Sequence, residues 1–296
     1  VVFVADLFIE DYVGGAELTT EALIEACKVD YTRIRSKDVT IETLQNYQDA
    51  YWIFANAIAL NMNLLPSIVG NIRYSVLEYD YKFCKHRSIE KHKETTGEEC
   101  DCDESQLGKL ISAFYYGADR IFWMSNKQEE RYVERFPFLE FKGRVLGSVF
   151  SKQDLRRMEF LRNGSNKGPW LVQDSKSWIK GTDDAIEWCK KTEREYETFK
   201  SLSRNDLLNK MFNAKGFCFL PRGGDTCPRV VIEAKILGCE LKLNENVQHA
   251  SEAWFAQGTV DSILEHLKKR PIIFWDEIKR HMDITSTIGA YTTTYN

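Results

Sequence analysis

Two acidic residues, Asp225 and Glu233, stand eight positions apart in a segment that follows the apolar run GFCFL. Asp225 comes directly after two glycines, whereas Glu233 is flanked by apolar residues in a stretch that predicts a helix. A carboxylate without a partner is costly in apolar surroundings, so Glu233 needs a hydrogen-bond donor. That donor is a backbone group, a ligand such as the two hydroxyls of a ribose, or a basic side chain in a structural ion pair.

A glycine pair, Gly14-Gly15, separates the first apolar run from the first helical pattern. Adjacent glycines let the backbone approach a ligand closely, and the helix that follows offers free N–H groups to an anion. The alternative is an ordinary tight turn. The dinucleotide-binding pattern G-x-G-x-x-G does not occur in the sequence, so a dehydrogenase or an epimerase is not favoured.

Cysteines and histidines are concentrated in one short segment within residues 80–104. The five residues that fall within nineteen positions are Cys84, His86, His92, Cys100 and Cys102. Thiolate and imidazole ligands at this density predict a structural zinc that closes a long loop. Free thiols, or a disulfide from Cys84 to Cys100 or Cys102, are the alternatives. The loop is basic in its first half and acidic in its second, which indicates a solvated insertion or a docking site for an anionic acceptor.

Short apolar runs alternate with helical patterns along the chain. The alternation restarts after the polar break at residues 162–168, the best candidate for a linker. This order predicts an α/β protein with two parallel sheets, each with helices on both faces. We expect a first domain at 1–162, a second at 163–270, and a helix and tail at 271–296 that pack back on the first domain. In such sheets, ligands bind beyond the carboxyl ends of the strands.

Four segments in matching order resemble motifs of the family 4 retaining glycosyltransferases. They are GGAE at 14–17, GADRIFWMSNKQEE at 117–130, KGTD at 180–183, and the pair Asp225 and Glu233 at the family's spacing. The resemblance implies the GT-B fold, in which two Rossmann-like domains face each other across a cleft. It also implies transfer of a hexose from a nucleotide-diphosphate sugar with retention of configuration, and no cofactor for catalysis.

The resemblance assigns roles to individual residues. Asp225 is the first catalytic candidate, and Asp80, which stands where the family often has His-Asp, is the second. The implied donor-binding residues are Gly14, Gly15, Lys176, Lys180, Arg222, Gly224, Thr226, Val231 and Glu233. Tyr81 and His86 are the acceptor candidates. Asp225 replaces a family Glu, and the family's Gly-Arg before Lys-Gly is missing, so Lys176 is the candidate for the lost arginine.

Composition limits the partners. The 296 residues are 43% hydrophobic and carry a net charge of −4, which excludes global disorder and gives no general reason to expect nucleic acid as a partner. No apolar run is long enough to span a bilayer, so we expect no transmembrane segment. Eight cysteines in a chain of this length do not indicate a secreted disulfide scaffold, so we expect a cytoplasmic location. The predicted donor is a UDP- or GDP-sugar, and the acceptor is a sugar, a lipid-linked molecule or another compound, with peripheral membrane contact allowed. Two alternatives remain: a DNA-modifying GT-B glucosyltransferase, and a catalytically silent GT-B binding or scaffold protein.

Overall fold

Two parallel β-sheets form the framework of this protein. The computed structural model describes the backbone of residues 1–162 and 164–292 and the side chains up to residue 283. The first sheet has six strands in the order β2-β1-β3-β4-β5-β6, and the second has four in the order β10-β9-β7-β8. All of the strand pairs in both sheets are parallel, as the alternation of strands and helices predicts.

The central strands of the first sheet are buried along almost their whole length because helices cover both faces. Its strands are β1 (Val2–Ala5), β2 (Thr32–Arg35), β3 (Tyr51–Phe54), β4 (Arg73–Glu78), β5 (Arg120–Trp123) and β6 (Gly143–Val145). The helices are α1 (Gly15–Glu25), α2 (Ile41–Asn46), α3 (Leu65–Asn71), α4 (Ile89–Thr96), α5 (Gln106–Gly117) and α6 (Asn126–Arg135). Serine caps fix the starts of α4, α5 and α6: Ser88, Ser105 and Ser125 each accept a hydrogen bond from the amide three residues later.

The second sheet begins after a connecting helix, α7 (Lys152–Leu161). Its strands are β7 (Gly168–Gln173), β8 (Tyr196–Phe199), β9 (Ala214–Phe219) and β10 (Glu240–Leu243). Its helices are α8 (Thr182–Lys191), α9 (Arg204–Asn213), α10 (Arg229–Ile236) and α11 (Ala253–Ala256). The chain leaves β7 to one side and returns to β9 on the other, so the loops after these two strands flank a topological switch point.

A long last helix, α12 (Val260–Thr292), runs from the second sheet to the first. Its first part contributes Ile263 and Leu267 to the core beneath α10, and its later part packs Phe274 and Trp275 against the first sheet. The indole of Trp275 donates a hydrogen bond of 2.9 Å to the carbonyl of Leu23 in α1. The sequence predicts a last helix only within residues 271–296, but the helix begins at Val260 and continues through Pro271, because both parts have a core to pack against.

No helix within the described part of the chain combines the length and the apolar character needed to cross a membrane.

Candidate functional site

A cleft of about 900 Å³ lies between the two domains. The loop after β1 and the start of α1 form its wall on the first domain, together with Tyr79 at the end of β4. The loops after β7, β8 and β9 and the start of α10 form the opposite wall. Each wall therefore comes from carboxyl ends of parallel strands, where doubly wound sheets bind their ligands.

Lys180 and Asp225 meet in this cleft. Gly181 has φ +60°, and a Cβ atom there would lie 1.8 Å from the carbonyl oxygen of Leu220, so only glycine lets the two loops come this close. The close approach brings the ammonium of Lys180 to 2.7 Å from the Asp225 carboxylate, to which it donates a hydrogen bond. The side chains keep 30% and 13% of their exposure, so solvent reaches the pair from the cleft.

The backbone on both sides of Asp225 is held rigidly. The amide of Asp225 donates to the carbonyl of Asn246 at 2.8 Å, and the amide of Gln248 donates to the carbonyl of Asp225 at 3.0 Å. The side-chain amides of Asn244 and Asn246 both donate to the carbonyl of Pro221 at 2.9 Å. These bonds fix the backbone that carries Asp225, so the loop presents its carboxylate to the cleft without rearrangement.

Glu233 belongs to a buried network of four charges. Its side chain is fully buried, and one carboxylate oxygen lies 2.6 Å from the guanidinium of Arg204, which keeps 22% of its exposure. Arg204 and Arg229 also pair with Asp154, at 2.9 and 3.1 Å. Burial lowers the pKa of Arg229 to about 10, so this guanidinium stays charged at neutral pH. Glu233 borders the cleft, but its nearest partner is Arg204.

The loop that carries Asp225 also docks on the first domain. The hydroxyl of Thr226 donates to the carbonyl of Tyr79 at 2.8 Å, and the hydroxyl of Ser148 donates to the carbonyl of Cys227 at 2.6 Å. Arg229 donates to the carbonyl of Val149 and lies over the ring of Phe150, 3.8 Å from its centre. These contacts hold the start of α10 next to the first domain.

The glycine pair of the first domain faces that same helix start. A Cβ atom on Gly15 would lie 3.8 Å from the Arg229 side chain, and one on Gly14 would lie 2.5 Å from the Glu17 carboxylate. The capping residue of α1 is Gly14, which has no side chain, so the first turn of this helix presents its amides beside the Glu17 carboxylate. Burial raises the pKa of the Glu17 carboxyl group.

No protein-family model and no curated protein matches this sequence. Solved structures do match. The lipopolysaccharide outer core galactosyltransferase WaaB, in its apo form, aligns over 95% of this chain and 99% of its own, at 10% identity and a TM-score of 0.52. Anabaena Alr3699/HepE in complex with UDP-glucose aligns over 98% and 99%, at 12% identity and a TM-score of 0.48. At these identities the likeness to WaaB shows the architecture. The fold is GT-B.

Within the GT-B cleft, the structure brings together most of the predicted donor-binding residues. Those that border the cleft are Gly14, Gly15, Lys176, Lys180, Thr226 and Glu233, together with the first catalytic candidate, Asp225. Three do not border it. Arg222 pairs with Asp184 at 2.5 Å on the surface, Val231 is fully buried in the core, and the amide of Gly224 donates to Glu90 of the first domain at 3.2 Å.

The acceptor candidates Tyr81 and His86 and the second catalytic candidate, Asp80, lie outside the cleft. The chain turns beneath α6 after Tyr79, because the carbonyl of Asp80 accepts hydrogen bonds from Gln128 and Tyr132. Asp80 pairs with Arg87, and Tyr81 is buried against Gln248, whose amide donates to its hydroxyl at 2.6 Å. His86 is half-buried, and its ring stands edge-on to His92 at 5.5 Å between centres. Tyr79, Tyr12 and Val13 form this part of the wall.

Four of the five predicted metal ligands lie together. Cys84, His92, Cys100 and Cys102 are all buried, with their ligand atoms within 4.8 Å of one another, and His86 is not part of this group.

Sequence reasoning missed Arg204, whose guanidinium lies in the wall of the second domain. It begins α9 directly after the capping residue Ser203 and enters the cleft from the loop after β8. Its position after a predicted strand could have marked this arginine as a site candidate. Its pairing with Glu233 could not be predicted, because the two residues are distant in sequence. Arg204 supplies a guanidinium in a cleft where the family's Gly-Arg is missing.

Proposed function

We propose that this protein is a glycosyltransferase that moves a hexose from a UDP- or GDP-sugar to a hydroxyl group of an acceptor. The observation that carries the proposal is the convergence of cations, one accessible acid and an uncapped helix start in a single cleft between two GT-B domains. The solved structures with this architecture include glycosyltransferases.

The cations suit the leaving group. A nucleoside diphosphate accumulates negative charge as the sugar departs, and this charge must be stabilised by cations or helix N-termini. Lys180 is held at the cleft wall, and Lys176 is exposed there. No carboxylate lies within ion-pair distance of Lys176 among the described residues. The two lysines and the start of α1 would neutralise the diphosphate without a metal ion.

Asp225 suits the sugar. Its carboxylate shares one hydrogen bond with Lys180 and keeps further acceptor capacity for sugar hydroxyls. Because its backbone is fixed on both sides, a bound sugar would be oriented without reorganising the loop. Retention at the anomeric carbon is part of the proposal because the motifs resemble those of a retaining family.

Arg204 and Glu233 suit the nucleoside end. Glu233 is fully buried, so it would act mainly by holding the guanidinium of Arg204, whose exposed fraction faces the ligand. In this proposal a ribose hydroxyl reaches the Glu233 carboxylate only after Arg204 shifts. The ribose contact predicted for Glu233 alone would therefore involve both Arg204 and Glu233.

The mouth of the cleft suits an acceptor with a ring or another apolar face. Tyr12 and Val13 of the first domain keep 59% and 62% of their exposure there, and Leu202 of the second domain keeps 39%. Such apolar exposure beside a polar cleft is typical of a binding surface. A sugar or a lipid-linked acceptor fits this surface, and a cytoplasmic location stays a prediction.

The first experiment measures thermal unfolding in the presence of UDP, GDP, ADP and their sugars. A ligand at one hundred times its dissociation constant stabilises the folded state by about 2.7 kcal/mol. We expect such a shift with UDP or GDP and slow hydrolysis of the matching nucleotide sugar. The anomeric configuration of the released sugar, read by NMR, tests retention.

Tyr12→Ala tests the acceptor surface separately. We expect hydrolysis of the donor to be unchanged and transfer to an added acceptor to need a higher acceptor concentration. If no nucleotide or nucleotide sugar shifts the unfolding temperature, the transferase proposal is wrong, and a catalytically silent scaffold protein is favoured instead.

A further inference from the structure

A cluster of four metal-ligand side chains lies in the first domain, outside the cleft. Cys84 follows β4, His92 lies on α4, and Cys100 and Cys102 lie in the turn before α5. All four are at least 90% buried, and their ligand atoms lie within 4.8 Å of one another. The Nδ1 atom of His92 is 3.9 Å from the sulfur of Cys84 and 3.3 Å from that of Cys102.

These separations suit a tetrahedral zinc ion. Zinc binds thiolate sulfur at about 2.3 Å and imidazole nitrogen at about 2.0 Å, so its ligand atoms are roughly 3.5 to 3.8 Å apart. The two distances at His92 lie on either side of that value, and shifts of a few tenths of an ångström would bring the ligands into place. Three sulfurs and one imidazole favour zinc over magnesium or calcium, which bind oxygen.

The surroundings also fit a metal centre. The second ring nitrogen of His92 lies 4.0 Å from the carboxylate of Asp101, beyond hydrogen-bond distance but close enough for a small side-chain movement to supply the outer carboxylate partner that metal-bound histidines often have. Three thiolates and Zn²⁺ carry a net charge of −1. The guanidinium of Arg135 is close enough to offset it, because it donates to the carbonyl of Cys100 at 2.8 Å.

The segment that the cluster closes has little apolar core of its own. Within α4, which is described throughout, His92 is the one residue that is fully buried. The same helix carries Glu90, which accepts a hydrogen bond from the amide of Gly224 at 3.2 Å and pairs with Arg131 at 2.7 Å. Lys91 lies over the ring of Trp178 in the second domain, 4.7 Å from its centre. The position of α4 therefore affects the loop beside Asp225.

We propose that Cys84, His92, Cys100 and Cys102 bind one structural Zn²⁺ ion, which fixes α4 against the second domain. The site is closed, since four protein ligands complete the coordination, and its role is to hold the fold rather than to carry out a reaction. The proposal does not depend on the transferase activity, because metal binding is measured directly.

The test compares the metal content of the full chain with that of two matched pairs of variants. The protein is produced without a metal-binding tag, dialysed, and analysed by inductively coupled plasma mass spectrometry. We expect about one zinc per chain. His92→Asn and Cys102→Ser should lose the zinc, whereas His86→Asn and Cys27→Ser, which change the same residue types outside the cluster, should keep it.

A second measurement covers the case in which the ligand variants do not fold. Removal of zinc from the native protein with a chelator should lower its unfolding temperature and open residues 84–105 to proteolysis. Added Zn²⁺ should reverse both changes, and added Mg²⁺ should not. A protein that contains no stoichiometric zinc and does not respond to the chelator would overturn the proposal. A disulfide between two of the cluster cysteines, seen as a loss of two free thiols, would overturn it as well.

Discussion

The two acids of the second domain that the sequence pairs by spacing have different surroundings in the folded protein. Asp225 lies on a loop, is partly exposed, and forms an ion pair with Lys180, which is itself open to the cleft. Glu233 lies on α10, is fully buried, and pairs with Arg204 within a network that includes Asp154 and Arg229. Both acids border the same cleft.

The two acids differ in whether a ligand can replace their ion-pair partner. An exposed ion pair contributes little to stability, because water competes for both charges, so Lys180 can be shared with a ligand phosphate at little cost. A buried carboxylate that loses its partner is strongly destabilising. We therefore interpret Asp225 as the acid that contacts the ligand and Glu233 as the acid that stabilises the wall of the cleft.

The substitution Glu233→Gln should have the largest effect. It leaves the buried Arg229 and the half-buried Arg204 with one carboxylate between them, and we expect the free energy of unfolding to fall by about 3 kcal/mol. Urea unfolding followed by circular dichroism measures it. The control is Glu187→Gln, which breaks an exposed pair with Lys191 and should cost less than about 0.5 kcal/mol. Equal losses for the two variants would remove the distinction between the acids.

Asp225→Asn should reduce activity strongly and stability little, the reverse of Glu233→Gln. Transfer should slow by about a hundredfold, because the sugar is no longer held in place, while the unfolding temperature changes little. Affinity for the free nucleotide, measured by calorimetry, should stay close to that of the wild type. A variant that transfers sugar at the wild-type rate would exclude Asp225 from the site.

Mild acid should lower the folding stability of the protein through His249, which lies near the backbone of Asp225. This histidine is fully buried between aromatic rings next to Gln248, whose amide holds the Asp225 carbonyl. Burial lowers its pKa from 6.5 to about 3. The unfolded chain therefore takes up the proton first, and stability that is present above pH 6.5 is lost as the pH falls toward 3.

The expected loss from His249 is about 2 kcal/mol at pH 5. Unfolding measured between pH 7 and pH 5 should show this slope in the wild type. His249→Phe, which keeps a ring against Trp254 and Phe255, should flatten it. If the slope persists in the variant, another group is responsible.

Lys180→Met should have the smallest effect of the series. The loss of one charged contact to the diphosphate should weaken nucleotide binding about tenfold, with little change in stability. The matched control is Lys191→Met on the exposed face of α8, which should bind nucleotide as the wild type does. Unchanged binding by Lys180→Met would place the diphosphate elsewhere in the cleft.

The sequence predicted the parallel sheets well because buried strands are continuous apolar runs with helical patterns between them. It missed the short elements β2, α2 and α3 of the first domain, the helix α4 within the segment predicted as a long loop, and the connecting helix α7. It also placed the start of the last helix too late. The missed α7 affects the cleft, because its Asp154 pairs with Arg204 and Arg229.

The sequence by itself determined that the loops at 11–17 and 220–234 follow apolar strands and carry glycines and acids, and both of these loops line the cleft. Only the tertiary structure decided which acid is accessible, since the burial of Glu233 depends on Arg204 and Asp154, which are distant in sequence. It also separated His86 from the cysteine cluster and turned Asp80 and Tyr81 away from the cleft. Spacing along a chain fixes which residues are near each other in a loop, but the direction of each side chain is set by contacts with other elements.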